Sequence, residues 1–403
     1  MIGSTLKTYS AVALSLAITC SWAQTPSTGT AVRFDKDKGV VIQKDSTFKL
    51  TFRFRMQNRF ALLSESGDDL SVGATDIRIR RMRLRFDGYV LSPKVQYKVQ
   101  LGFSKGDLDL IETNTAQPIR DAIGYYVPNA HWAIGIGQTK LPGNRQRVVS
   151  SGALQLPDRS IVNGGFTLDR DFGLFATWRT QAGDQHVAVK GAVSTGEGRN
   201  ASPGDDGLCY TGRVEWLPLG EFQDDGDYFE GDIAWEAKPK LAFGGVYSTN
   251  VNARRSGGQL GEFFPTGQGR TMNTCMADAL LKYRGTAWTT EFCQREVDGD
   301  PVVAGDEEVV TALEGWGLNT QLSRMIGQKN ELVGRYSIIV PTEEASRGGQ
   351  HRREESWVGF THYINHHRVK LQSAVQYSWR DGVADLDAAG NRWGLWFQLE
   401  LGI

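Results

Sequence analysis

The chain is organised by a period of two. From Phe48 to Gln57 the positions Phe48, Leu50, Phe52, Phe54 and Met56 are apolar, and the intervening Lys49, Thr51, Arg53, Arg55 and Gln57 are polar. That alternation is the mark of a strand with one apolar and one polar face. It recurs at Val95, Tyr97, Val99, Leu101 and Phe103 against Lys94, Gln96, Lys98 and Gln100. It returns at Leu332, Gly334, Tyr336, Ile338 and Val340, and the chain ends on Trp393, Leu395, Phe397, Leu399, Leu401 and Ile403. Between Ile79 and Met82 the apolar parity slips by one residue, which predicts a β-bulge at Arg80-Arg81.

Read this way, strands fall near 48–60, 75–89, 93–104, 118–127, 131–139, 170–180, 185–194 and 209–218. They continue near 240–250, 275–285, 286–297, 309–323, 330–341, 353–364, 367–380 and 392–403, about sixteen in all. Connections alternate in length. Pro128-Asn129, Arg284-Gly285 and Asn365-His366 are tight, whereas 139–169, 251–274 and 342–352 are long. An even strand number with short turns at one end and long loops at the other describes a membrane barrel. The insertion 219–239, with Asp224-Asp225-Gly226-Asp227, interrupts the short-turn side. A soluble sandwich would tolerate irregular strand lengths; here alternations of similar length repeat around the chain, with Trp and Tyr often near their ends, as an aromatic girdle requires. The expected fold is all-β: a closed antiparallel transmembrane β-barrel of about 16 strands enclosing water, with 139–169 as an inward-folded constriction loop.

Composition narrows this further. An apolar fraction of 40%, with no apolar run long enough to span a bilayer as a helix after residue 23, excludes a polytopic helical protein. Gly 47 and aromatics at 10% fit short strands joined by glycine-rich turns. Lys+Arg 45 against Asp+Glu 46 leaves a net charge of −1, so no chain-wide grip on nucleic acid is indicated. Lys7, the apolar stretch Ala11 to Ile18 and the small-residue site Ser21-Trp22-Ala23 form a secretory leader cleaved before Gln24. Cys20 is set aside as a lipidation site because Thr19 is a poor residue to precede it. The expected organisation is therefore a signal peptide 1–23, a periplasmic segment 24–46 and a barrel 47–403, exported to the bacterial outer membrane. Cys209, Cys275 and Cys293 remain; a Cys209–Cys275 bridge is the alternative to three unpaired buried thiols.

Charge is distributed unusually over the first two strands. Phe48 to Ala61 contains no acid beside Lys49, Arg53, Arg55 and Arg59, and Ile77 to Phe86 none beside Arg78, Arg80, Arg81, Arg83 and Arg85. On lipid each arginine would cost roughly 2–4 kcal/mol near the midplane, so the alternation assigns them to the lumen. One reading sets them against acids of an inward loop, giving a transverse field for general solutes. The sharper reading is an anion path in which guanidinium forks pass oxyanions from site to site. Its candidate residues are Arg53, Arg55, Arg59, Arg80, Arg81, Arg83, Arg85 and Lys98, with Lys140 and Arg145 of the long loop facing the channel. Asp158, Arg159, Arg170 and Asp171 are expected to anchor that loop.

An ordered set of short segments then resembles the phosphate-selective porin O/P family. The set is Arg80-Arg81-Met82-Arg83-Leu84, Ile119-Arg120-Asp121-Ala122, Gly137-Gln138-Thr139-Lys140-Leu141-Pro142, Ser150-Ser151, Leu156-Pro157-Asp158-Arg159-Ser160 and Asp169-Arg170-Asp171-Phe172-Gly173. Gly334-Arg335-Tyr336-Ser337 and Gly359-Phe360-Thr361-His362-Tyr363 continue it. The resemblance implies a sixteen-stranded homotrimer that favours anions, in some members phosphate, with Arg80 and Arg81 at the family's paired basic positions and 137–173 at its constriction loop. Two departures stand out: Ile403 ends the chain where such barrels usually carry an aromatic, and the acidic and glycine-rich 219–274 matches no basic ladder.

Other chemistry is not supported. Gly135-Ile136-Gly137-Gln138 lacks the helix and βαβ unit of a nucleotide fingerprint. His362, His366 and His367 are read as a polar turn and not a metal site, and Asp224-Asp227 and Asp298-Gly299-Asp300 as solvated charge. For a serine, histidine and acid converging on one strand face no spacing stands out, Ser378 lying about a dozen residues from His366 and His367, so no enzyme activity and no cofactor are expected. The expected partners are inorganic anions as solutes, outer-membrane lipid and lipopolysaccharide. A surface-binding or structural barrel remains the alternative outside the channel class.

Overall fold

A computed structural model of the chain describes residues 30–35, 39–105, 107–108, 116–201, 207–265, 268–306, 308–383 and 385–403. The leader expected over 1–23, with Cys20, lies outside the described residues. The first described element is a hairpin of β1 (Thr30–Asp35) and β2 (Gly39–Lys44). The barrel begins with β3 (Phe48–Ser64), β4 (Val72–Val90), β5 (Val95–Gly102), β6 (Ile119–Tyr126) and β7 (Trp132–Lys140). After two short helices, α1 (Arg145–Val148) and α2 (Ile161–Phe166), follow β8 (Arg170–Ala182), β9 (Gln185–Ser194) and β10 (Cys209–Leu217). Then come β11 (Lys240–Ala253), β12 (Arg270–Tyr283) and β13 (Thr286–Val297), and a small hairpin of β14 (Val302–Ala304) and β15 (Val309–Thr311). The barrel finishes with β16 (Gly315–Ile326), β17 (Asn330–Pro341), a turn of helix α3 (Glu343–Arg347), β18 (Arg353–Asn365), β19 (Val369–Arg380) and β20 (Arg392–Gly402).

Sixteen of these strands pair antiparallel with their neighbours in chain order and close when β20 pairs with β3, Gly402 opposite Arg55 through Gly394 opposite Leu63. Closure leaves the wall no open edge and satisfies every ladder within the chain, as lipid demands. Below that junction the start of β3, Phe48 to Phe52, pairs instead with β2, so the N-terminal hairpin extends the wall where β20 ends. Gly39 seats that hairpin: its φ is +91°, and an added Cβ would fall 2.3 Å from the Phe52 carbonyl oxygen.

The outward positions form the apolar band that the alternation predicts. Ile134, Ile136, Leu174, Val214, Val358, Val375 and Leu395 are exposed. Aromatic pairs flank the band: Trp132 lies opposite Trp178 and Trp216 opposite Phe243 at the short-turn end, and Trp393 opposite Tyr377 at the other. The predicted bulge is present, since Gln57 pairs with Arg81 and Asn58 with Ile79, leaving Arg80 extra. One predicted strand is corrected. The span 309–323 divides into β15 and β16, because Val310 joins Val303, Phe264 and Met272 in a separate cluster of the long loops. The backbone then turns at Gly315, whose φ is +137°. All three cysteines are free, as the unpaired reading has it; what is corrected is burial, since Cys275 is exposed while Cys209 and Cys293 are buried. Successive strand positions alternate faces, so no Cys209–Cys275 bridge forms.

Candidate functional site

Inside the barrel the arginines of β3 and β4 stand opposite one another: Arg53 pairs with Arg85, Arg55 with Arg83 and Arg59 with Arg78. Like charges directly across a ladder repel, and the fold meets this by placing acids and hydroxyls among them. Asp87 takes Arg53 at 2.8 Å and Arg85 at 2.8 Å. Asp107, from the loop after β5, takes Arg83 at 2.5 Å and Arg120 at 2.9 Å. Glu400 lies 3.7 Å from Arg55, whose other nitrogen donates to the Ser151 hydroxyl at 2.7 Å. Lys98 meets Asp121 at 3.0 Å. The bulge lets the adjacent Arg80 and Arg81 both point inward, where strict alternation would send one to lipid. Burial opposes charge on Asp107, yet Arg83 and Arg120 hold its carboxyl below the usual range.

The long segment between β7 and β8 lies in the lumen. Leu141, Val162, Phe166 and Leu168 need an apolar seat and find it against Ile339 and Met276 of the wall and Leu313 just before β16. Burying Phe166 alone is worth about 1.5–3 kcal/mol. Ser160 caps α2, its hydroxyl accepting from the Asn163 N–H at 3.1 Å, and Gly317 leaves room for the Phe166 ring. Asp158 ties this segment to the arginine wall, lying 2.8 Å from Arg59, 3.1 Å from Arg80 and 3.3 Å from Arg81. Against the penalty of burial, Arg81, Arg80 and Arg59 keep the Asp158 carboxyl well below its ordinary range.

The remaining candidates are placed as follows. Arg159 donates to the carbonyls of Gln146 and Val149, at 2.7 and 2.8 Å, and so closes the segment on itself. Lys140 donates to the carbonyls of Arg147, Val148 and Val149. Arg170 bonds to Asp121 on the wall at 3.1 Å. Asp171 accepts from the Thr195 hydroxyl and the Gly196 N–H, both at 2.6 Å, and holds the next loop instead of this one. Arg145, expected to face the channel, is buried across the lumen with Asp278 at 2.5 Å, an acid it shares with Arg213 at 2.6 Å. Its neighbour Gln146 receives Glu291 on its backbone N–H at 2.6 Å.

Several participants carried no local signal in the sequence. The insertion between β10 and β11, on the short-turn side as expected, turns back into the barrel. Glu230 N–H donates to the Ala153 carbonyl at 3.0 Å, and its carboxylate accepts from the Gln155 N–H at 2.9 Å. Lys282 donates to the carbonyls of Gly226 and Phe229, and Arg145 to that of Asp227. Glu400 and Asp278 come from strands far along the chain and Asp107 from the loop after β5, and nothing in their neighbourhoods distinguishes them from other acids. The alternation of β20 and β12 does assign Glu400 and Asp278 an inward face.

Exposure separates cations from acids. On β3 to β5 the side chains of Arg53, Arg55, Arg83, Arg85 and Lys98 are 11–37% exposed. Their acids Glu400, Asp107 and Asp121 are only 0–2% exposed. The cations stand forward and these carboxylates behind them. Asp87 and Asp158 are exceptions among the acids, at 22% and 25%, and Arg59 and Arg81 among the cations, at 2% and 5%.

The sequence profile described as phosphate-selective porin O and P matches residues 48–256, more than half the chain. This chain belongs to that family. No curated protein sequence matches it. Among solved structures the porin is similar to an anion-selective porin from Comamonas acidovorans, at 10% identity and TM-score 0.55, covering 88% of this chain and 99% of that one. It is also similar to OmpF of Salmonella typhi in complex with daunomycin, at 12% identity and TM-score 0.56, covering 90% and 100%. A third is the outer membrane channel DcaP of Acinetobacter baumannii, at 12% identity and TM-score 0.53, covering 88% and 100%. At these identities the likeness is one of fold: the porin is a closed outer-membrane barrel, the architecture of passive channels and not of enzymes.

Proposed function

We propose that this porin is a passive diffusion channel favouring small anions, phosphate or related oxyanions among them, along the wall formed by β3 to β5. The observation that carries the reading is the layering of charge. Guanidinium and ammonium groups reach water while Glu400, Asp107 and Asp121 hold them from behind. A solute moving along this wall meets spare N–H donors whose charge is moderated but not cancelled, and conduction needs such moderate sites in series. Arg53, Arg85 and Lys98 would receive the anion toward the short-turn rim, Arg55 and Arg83 beside Ser151 would pass it on, and Arg80 with Arg78 would meet it toward the loops. The segment 141–169 would be the constriction. In this reading 1–23 is the export leader, 24–46 precedes the barrel 47–403, the outer loops meet lipopolysaccharide, and the native form is a homotrimer, as in the trimer form of a structurally similar OmpT of Vibrio cholerae at TM-score 0.52.

The test is a reversal potential across a planar bilayer under a KCl gradient. A value near the chloride limit, with current reduced by added phosphate and both effects weakened in Arg80→Ala and Arg81→Ala, supports the proposal. A value near zero or on the potassium side overturns it. The exposed acids Asp87 and Asp158 would then form one side of a transverse field in a general porin.

A further inference from the structure

The short-turn rim is sparing elsewhere: β8 and β9 are joined by 183–184, β12 and β13 by 284–285. Between β10 and β11 it spends 218–239. This segment is braced within itself and against the rim. Gln223 N–H donates to Glu236 at 2.7 Å, Glu236 N–H to Asp232 at 3.1 Å and Gly285 N–H to Asp232 at 2.6 Å. Asp224 and Asp225 adopt left-handed backbone, with φ of +52° and +56°, and turn the chain back on itself. Phe222 packs into Leu217, Ala242 and Leu280, and Phe229 stacks on the His367 ring at 5.4 Å between centroids.

Two consequences reach the lumen. First, Glu230 joins three parts of the molecule. Its carboxylate accepts from the Gln155 N–H at 2.9 Å, from the Gln146 amide at 3.3 Å and from Gln321 of β16 at 3.1 Å, while its own N–H donates to the Ala153 carbonyl at 3.0 Å. The 141–169 segment is thereby fastened at Gln146 and at 153–155 to the insertion and to the far wall. Second, the insertion occupies cations. Lys282 meets two of its carbonyls at 2.6 and 2.9 Å, Arg145 a third at 3.0 Å, and Lys190 its Tyr228 hydroxyl at 2.5 Å. Lys190 pairs with Glu215 and Arg145 with Asp278 as well, so on this side the cations are met both by wall carboxylates and by the insertion.

We infer that the 218–239 segment is a built-in filler that confines passage to the β3–β5 wall and sets the size limit of the channel, with Glu230 the positioning residue that holds the constriction segment in place. The inference rests on the channel reading. Its basis is the paired use of Glu230 for the loop and of backbone carbonyls for the wall cations.

The test compares the full-length wild-type porin with a variant in which 219–238 is replaced by an Asn-Gly turn, and with Glu230→Ala and Glu230→Gln in the intact chain. Each is checked for a heat-modifiable folded barrel before single-channel conductance and liposome swelling with uncharged sugars of increasing size are recorded. The turn replacement is expected to raise conductance severalfold and admit larger sugars while keeping the anion preference, because the space held by 219–238 opens while the cations of the β3–β5 wall are untouched. Glu230→Ala should give a smaller rise, and Glu230→Gln should restore most of the wild-type value, since its amide oxygen still accepts from Gln155 and Gln321. Unchanged conductance and size limit in a folded turn replacement overturn the inference. If that variant does not fold, an unchanged Glu230→Ala does so instead. A folded wild type that passes no current sinks the channel reading itself, a separate outcome.

Discussion

The two halves of the lumen are made from the same materials and end differently. Along β3 to β5 the cations meet carboxylates and water. Around β10 to β13 and β16 to β20 they meet carboxylates too, Arg213 at Asp278 and Arg335 at Glu355, but there backbone carbonyls of the inward segment take further donors: Arg213 donates to Gly143 at 3.1 Å, Arg295 to Phe166 at 3.2 Å, Arg335 to Asp158 at 2.8 Å and Lys370 to Gly152 at 2.9 Å. A carbonyl of an inward segment uses up the donor and shuts out solute, so these cations serve as pegs for the 141–169 segment. A carboxylate set behind a guanidinium orients it and leaves other donors free. The charge of an inward residue therefore does not tell whether it serves transport. What its donors meet does.

The most disruptive change to this contrast is Asp158→Ala, which loosens the segment from the open half, leaves the buried Arg81 without its acid and leaves the buried Arg59 with Asp76 alone. Losing one member of such a cluster should cost about 3 kcal/mol. It would be seen as a lower denaturation midpoint of the purified barrel and as noisier single-channel current. Next comes Lys370→Met on the filled half, which leaves the Gly152 carbonyl without its donor and the Leu154 carbonyl with the Gln372 amide alone. A loss of about 1–3 kcal/mol follows, and the reversal potential should stay where it was, since this ammonium is fully buried. Arg53→Gln with Arg85→Gln should do the reverse. Stability should change by no more than about 1 kcal/mol, as for other partly exposed pairs, while the reversal potential moves toward potassium. A shifted potential in Lys370→Met, or an unshifted one in the double arginine variant, would erase the distinction between the halves.

The smallest expected effect is one of pH. Burial first, then the ammonium groups of Lys370 and Lys282, push His367 well below its ordinary value. Unfolded, this histidine takes a proton near about pH 6.5, so its contribution is complete above that pH and declines as pH falls toward the lower folded value. Asp158 is depressed in the native state, so its contribution is complete above about pH 4, the ordinary carboxylate value, and is lost only below it. Between about pH 7 and pH 5 the filled half should therefore loosen slightly while the arginine clamp holds. Titration of current noise in wild type and His367→Phe checks this: the pH-dependent part should vanish in the variant.

Much of the architecture was legible because a barrel wall is a local pattern. Alternation located sixteen strands, the parity slip located the bulge, and the spacing of turn residues separated the two rims. The span 309–323 was misread because Val309 and Val310 are apolar like the strand that follows, yet Val310 serves a small cluster of the outer loops and Val309 is exposed. The arginines of β3 and β4 were legible as a patch since the two strands are joined by a short loop. Their partners were less so. Glu400 reaches Arg55 only because the last strand closes on the first, and Asp278 reaches Arg145 only because a loop crosses the lumen.

By itself the sequence determined the class of the protein, the strand number, the rims and the concentration of arginine on one wall. Periodicity, turn chemistry and the cost of charge in lipid act over a few residues at a time. Which cations stay open to solute was decided by tertiary structure alone, because burial and donor partners depend on segments brought together across the lumen. The inward turn of 218–239 belongs to that second kind: its own residues read as an acidic, solvated stretch, and only the Glu230 contacts and the capture of Lys282, Arg145 and Lys190 show it occupying the barrel.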